Sequence, residues 1–163
     1  LSDRYQMVLA AAPGVPADYY DRFLQGSSVR IVYGQTYPLL SHSVAALVTS
    51  GTATLETCLF RVPQVVCYRM IFPKLVAILR RMLLKVKYVS LVNLIADAEV
   101  VRELVADTFT VDNIRRELDA ILPGSPARDV MLRGYEEVSR RLGTSVAPDN
   151  AASLIVKALS GRT

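Results

Sequence analysis

SGTATLETCLFRVPQVVCYR, residues 50–69, joins a glycine turn, a helical stretch with one carboxylate and an apolar run, and it follows a first apolar run, AALVT, at 45–49. An apolar strand that reverses through glycine into a helix and returns as a second apolar strand is a βαβ unit. Gly51 lets the backbone turn tightly or approach a ligand closely. Ser50, Thr52 and Thr54 bring hydroxyls to the first free N–H groups of the helix, where the dipole favours an anion by about 0.3–1 kcal/mol. Glu56 lies four residues beyond Thr52 and so on the same helical face. A phosphate on the turn would bring an attached ribose within reach of this carboxylate, which accepts from two adjacent hydroxyls. One nucleoside diphosphate would use both features. Ser and Thr are also ordinary helix caps, and a glutamate near a helix start complements the dipole, so plain capping explains the same residues. GxxxxGK[ST] and GxGxxG are both missing, which counts against a nucleotide triphosphatase and a dehydrogenase.

Working outward, YQMVLAAAP (5–13), VRIVYGQ (29–35), AALVTSG (45–51), PQVVCYRM (63–70) and KYVSLVNLIA (87–96) are short apolar runs ending in Gly, Pro or polar residues. They predict five strands. Helices are expected over VPADYYDRFLQ (15–25), near YPLLSHS (37–43), over TATLETCLF (52–60) and over FPKLVAILRRMLL (72–84). Past Ala96 the pattern is wholly helical, with a turn near AEVVREL (98–104) and then helices over 110–122, 125–143 and 149–159. Strands alternating with helices predict an α/β fold, a Rossmann-like domain with a mainly parallel sheet followed by C-terminal helices. In such a sheet ligands sit beyond the carboxyl ends of the strands, which singles out APG, YGQT, TSGT, YRM and VNLIA.

With 163 residues, 52% of them hydrophobic, and a mean hydropathy of +0.30, the chain suffices for one packed domain, 1–163. Leu1 is no initiator methionine and a core strand begins almost at once, so a fragment of a longer protein is expected. Cys58 and Cys67 form no CxxC pair and His42 is the single histidine, which argues for reduced, buried thiols in a cytosolic setting and against a zinc site or a catalytic histidine triad. No acid occurs between Glu56 and Asp97, where Arg61, Arg69, Lys74, Arg80, Arg81, Lys85 and Lys87 supply seven positive charges; the net charge is +4, so the remainder carries −3. Such local basicity is a poor fit to a nucleic-acid partner.

SGTATLE, VPQVVCYRM (62–70), YVSLVNLIA (88–96) and AEVVREL resemble, in order and spacing, the C-terminal half of the lipid-A-disaccharide synthase family, bacterial glycosyltransferases of the two-domain GT-B architecture. The resemblance runs from about Tyr5 to the end. It implies transfer of a sugar, with inversion and without metal or cofactor, from UDP-2,3-diacylglucosamine to 2,3-diacylglucosamine 1-phosphate. It implies a diphosphate turn of Ser50, Gly51, Thr52 and Thr54, a ribose contact at Glu56, and donor-facing positions at Asn93 and Glu99. Asn93 as a turn residue and Glu99 as a helix-start carboxylate are the local alternatives. Where the family usually has Pro and often Arg, this chain has Val92 and Ala98. The PGSR-type segment that opens this half of the family, its first strand and helix, and the acceptor domain expected to bring the general base would all precede Leu1. No catalytic residue is therefore assigned here, and the chain alone is expected to be inactive. The same architecture also serves other UDP-N-acetylhexosamine transferases and UDP-N-acetylglucosamine 2-epimerases, and a non-enzymatic helical interaction module is a further alternative.

In a helix over 72–84 and its continuation, Lys74, Arg81 and Lys85 fall within about 40° of one another. Beside them Leu75, Val76, Ile78, Leu79, Met82, Leu83 and Leu84 span a wider arc than one core contact needs. Such a helix suits the headgroup layer of an anionic membrane, here the inner face of the bacterial inner membrane, as well as a buried crossover helix or a partner helix. The helix over 149–159 offers a face to the missing N-terminal domain or to a second copy in a homodimer.

Overall fold

The computed structural model describes residues 3–49, 51–68, 87–143 and 147–160. It is mixed α/β with parallel strands throughout the described residues, and its helices follow the strands as a Rossmann-like arrangement requires. β1 (Val8–Ala11), α1 (Ala17–Leu24) and β2 (Arg30–Tyr33) form one βαβ unit, with Val8 in register with Arg30 and Ala11 with Tyr33. α2 (Thr36–Ser41) leads to β3 (Ala46–Thr49), and α3 (Thr52–Leu59) joins β3 to β4 (Gln64–Tyr68). β4 is central in a sheet of order β3-β4-β5, where β5 is Arg102–Val105. Among the described residues β1 bonds only β2, and β3 bonds only β4, so the two sheets are separate.

The core lies around β4. Gln64, Val65, Val66 and Cys67 are all buried, as expected of a strand covered on both faces. Cys58 from α3, Leu104 from β5 and Val101 just before it join the same cluster. The cluster is completed from three helices: Val92 and Ala96 of α4 (Leu91–Ala96), Ile121 at the end of α5 (Val111–Ala120), and Met131, Tyr135 and Val138 of α6 (Pro126–Leu142). α6 starts in a favourable way: Ser125 Oγ accepts from Arg128 N, and Pro126 occupies the first turn, where its missing N–H costs nothing. α7 (Ala147–Ser160) exposes Leu154, Ile155, Val156 and Leu159.

Four predicted strands are present at VLAA, RIVY, ALVT and QVVCY. The fifth prediction is corrected. KYVSLVNLIA holds α4, a helix, and the fifth strand is RELV, which overlaps the stretch expected to be a turn. The cause is a contact between the two. Glu103 of β5 caps the start of α4, its Oε2 accepting from Val89 N at 2.9 Å and its Oε1 from Ser90 N at 2.8 Å. Ser90 Oγ in turn donates to Glu103 at 2.7 Å and accepts from Asn93 N. The helix expected over 72–84 lies outside the described residues.

Candidate functional site

Gly51 follows the carboxyl end of β3 with φ 124°, a conformation that side-chain-bearing residues rarely adopt, and a Cβ there would meet open space. The glycine is therefore required by the turn and not by crowding. Its carbonyl accepts from Thr54 N at 3.2 Å and from Thr54 Oγ1 at 2.8 Å, which draws the first turn of α3 tight. Among the described residues no side chain caps this helix end. With glycine as the N-cap, no side chain of that residue serves the first N–H groups, which lie beside exposed Gly51 and Thr52.

The expected residues divide into three groups. Gly51, Thr52 and half-buried Glu56 stand together on the outer side of α3, and Thr52 and Glu56 are one turn apart. Thr54 is on the same helix but buried, and its hydroxyl is spent on the Gly51 carbonyl, so it shapes the turn and does not face outward. Ser50, Lys74, Arg81 and Lys85 lie outside the described residues.

Asn93 and Glu99 form the third group, and the structure sets them apart from the turn. Val65 pairs with Arg102, so the residues just before β5 sit at the amino end of the sheet, opposite Gly51. Asn93 is fully buried with both ends of its amide occupied. Nδ2 donates to Val101 O and to Glu103 Oε1, at 2.8 and 2.9 Å, while Oδ1 accepts from Val100 N and Val101 N at 2.8 and 2.9 Å. With its hydrogen-bonding capacity filled, Asn93 holds the 97–101 loop against α4. Glu99 is exposed, pairs with Arg102 at 2.8 Å and lines an open depression with Val100 and Glu117.

Tyr37, in the first turn of α2, was not singled out by sequence, although it directly follows the YGQT turn at the carboxyl end of β2. Its hydroxyl donates to Glu56 Oε1 across a long 3.5 Å, and its ring stacks on Phe60 with centroids 5.3 Å apart and 28° between planes. Glu56 and Phe60 are themselves one helical turn apart. A carboxylate thus sits beside two partly open aromatic rings, next to an uncapped helix start.

Among the described residues no cluster of three or more His, Cys, Asp or Glu is placed to hold a metal ion, and no helix is long and apolar enough to cross a membrane. Cys58 and Cys67 are free and buried; burial pushes the Cys58 thiol up to about 12 and raises that of Cys67 in the same direction. His42 is exposed, with Nδ1 2.9 Å from Pro38 O.

A family model described as Lipid-A-disaccharide synthetase matches residues 17–141. The chain is 36% identical over 157 residues to the lipid-A-disaccharide synthase of Myxococcus xanthus, an alignment covering 94% of this chain and 40% of that protein. It is 34% identical over 171 residues to the enzyme of that name from Rhodospirillum centenum, covering 99% of this chain and 42% of the relative. Against the one from Acidobacterium capsulatum the identity is 45% over 105 residues, 64% of this chain and 26% of that protein. In the two longer alignments the chain spans about two fifths of the relative's length.

Proposed function

We propose, from the premise that this chain belongs to the lipid-A-disaccharide synthase family, that it is the donor-binding part of a bacterial hexosyltransferase. In this reading the whole protein moves 2,3-diacylglucosamine from its UDP conjugate to 2,3-diacylglucosamine 1-phosphate with inversion, as a step in making lipid A. Gly51, Thr52 and the free N–H groups at the start of α3 would take the diphosphate, together with Ser50. Glu56 would accept from the two ribose hydroxyls. The observation that carries this is the uncapped helix start at Gly51 with Glu56 one turn away, at the carboxyl end of a parallel strand, where α/β sheets hold their ligands.

The residues described here include no group we assign as catalytic acid or base. The reading gives that role to a preceding acceptor domain and leaves this part inactive by itself. The free edges of β1 and β3 fit the same domain division: a parallel strand between them would complete the order β2-β1-x-β3-β4-β5, the doubly wound arrangement whose switch point lies beside β3. A strand and helix preceding Leu1 would supply it. From the sequence of 72–85 we further propose that Lys74, Arg81 and Lys85 rest on the anionic inner face of the inner membrane, where the acylated substrates reside. Exposed α7 is a candidate contact for the acceptor domain or for a second copy.

The test is UDP binding by the full-length protein. UDP should bind far better than CMP or ADP, and equal affinity for all three rejects a uridine diphosphate site. Glu56→Ala should lose a charge-assisted hydrogen bond of about 1.5–3 kcal/mol, roughly ten- to a hundred-fold in affinity. An unchanged dissociation constant would assign Glu56 to helix capping and end this reading.

A further inference from the structure

We infer that Tyr37, backed by Phe60, is the base-binding residue of this site: its ring is the wall against which the base of the nucleotide lies, and its hydroxyl comes near the carboxylate that takes the ribose. The inference rests on the proposed nucleoside diphosphate site and adds the part that meets the base.

The geometry behind it is a juxtaposition of three side chains from two elements. Tyr37 comes from the start of α2, whereas Glu56 is on α3 and Phe60 is the residue that ends it. The Tyr37 hydroxyl reaches Glu56 Oε1 at 3.5 Å while its ring stacks on Phe60. Neither ring belongs to the buried core: Tyr37 is 55% exposed and Phe60 38%. Two stacked aromatic side chains left this open beside a carboxylate form a flat apolar surface with one polar handle, which fits a planar heteroaromatic ligand bearing hydroxyls.

Connectivity then limits which part of a nucleotide meets that surface. The base hangs from the ribose carbon adjacent to the one bearing the 2′-hydroxyl. A ligand with its diol on Glu56 and its phosphates at Gly51 therefore has its base pointing away from the helix start, within a ring's width of the diol. The Tyr37 ring lies at that distance from Glu56, because its own hydroxyl touches the carboxylate. Ring stacking tolerates any base, so Tyr37 supplies affinity, and the Phe60 ring stacked behind it holds the Tyr37 ring in place.

The experiment measures binding of UDP, ADP and inorganic pyrophosphate to the full-length protein and its Tyr37→Ala, Tyr37→Phe and Glu56→Ala variants. Unliganded thermal melts confirm that each variant is folded, which the exposure of Tyr37 favours. Tyr37→Ala should weaken UDP roughly 5- to 100-fold, the range for losing one base–aromatic stack, weaken ADP by a similar factor and leave pyrophosphate unchanged. Tyr37→Phe keeps the stack and should lose only a few-fold through Glu56. Equal weakening of UDP and pyrophosphate by Tyr37→Ala would make Tyr37 a mere prop of the turn and overturn the inference. So would unchanged UDP binding in Tyr37→Ala alongside a loss in Glu56→Ala, a result that leaves the proposed function standing. If Glu56→Ala also has no effect, the proposed function fails and takes this inference with it.

Discussion

The three-stranded sheet and the two-stranded sheet are built on the same βαβ plan, yet only the first is enclosed. β4 is buried along four of its five residues, and side chains of α3 to α6 close over it. In the other unit β1 buries only Ala11, β2 buries nothing fully, and α1 has no buried residue at all. The reason is visible in the residues. VVC and its partners Val92, Val101 and Tyr135 present large apolar surfaces to one another, whereas VLAA offers alanines, and the apolar side of α1, with Tyr19 and Phe23, stays open. That unit is held instead by its parallel ladder and by polar ties such as Ala12 N to Tyr20 Oη at 2.8 Å and Gln6 Nε2 to Ser28 O at 2.9 Å. The candidate site lies near the boundary, with Glu56 from the packed half and Tyr37 from α2, which joins the two. The packed half fixes the turn, and α2 supplies an exposed side chain stacked on Phe60.

Substitutions can break this contrast or sharpen it. The largest effect is expected at Tyr135, which is 1% exposed and donates to Val62 O while accepting from Gln64 Nε2. Tyr135→Ala should cost about 3–5 kcal/mol in chemical denaturation of the full-length protein. Asn93→Ala should follow at about 2–3 kcal/mol, because it strips the acceptor from two backbone N–H groups in a buried loop. Asn93→Ala tests the separation of that loop from the site as well: the stability loss should come with unchanged UDP affinity. Gly134→Ala adds a Cβ 2.5 Å from Val100 Cγ1, where α6 presses on the same loop, and should cost roughly 1–3 kcal/mol by overpacking.

A smaller effect appears in alkali. Cys58 is neutral in both folded and unfolded chains below its ordinary value of 9.0, so its contribution to stability is complete there. Between 9.0 and about 12 the unfolded chain ionises and the folded one does not, so stability falls with rising pH and levels off above about 12. Denaturation midpoints at about pH 8 and about pH 10.5 should drop less in Cys58→Ala than in the parent. The smallest effect belongs to the open half. Phe23→Ala, at a side chain 68% exposed, should change stability by no more than about 0.5 kcal/mol, and a loss as large as that of Tyr135→Ala would erase the contrast.

Much of the candidate site is legible without coordinates, because a strand, a glycine and a helix start are adjacent in sequence and their chemistry is local. Gly51 with Thr52 and Glu56 is such a case. Thr54 shows the limit: the residue type fits an anion site, but the hydroxyl turns back to Gly51 O, a choice made by burial of the α3 face. Asn93 is a stronger case, since the four hydrogen bonds of its side chain reach three residues 7 to 10 further along the chain, Val100, Val101 and Glu103. Tyr37 was hidden for the same reason, as its partners are 19 and 23 residues away on another helix.

Sequence alone determined the α/β class, four of the strands and the glycine turn that ends β3, since each depends on short-range patterning: apolar runs of strand length, helical periodicity, and a backbone geometry open to glycine. Only the tertiary structure decided that RELV is a strand and SLVNLIA carries a helix. A run of six helical residues has too few turns to declare itself, and a strand with Arg and Glu in it gives no alternating signal. What settles both is one carboxylate, Glu103, satisfying the start of a helix that precedes it in the chain, and a backbone ladder with β4. Likewise it took the packed chain to bring Tyr37 against Glu56, because contacts between side chains far apart in sequence arise only when the elements carrying them are packed together.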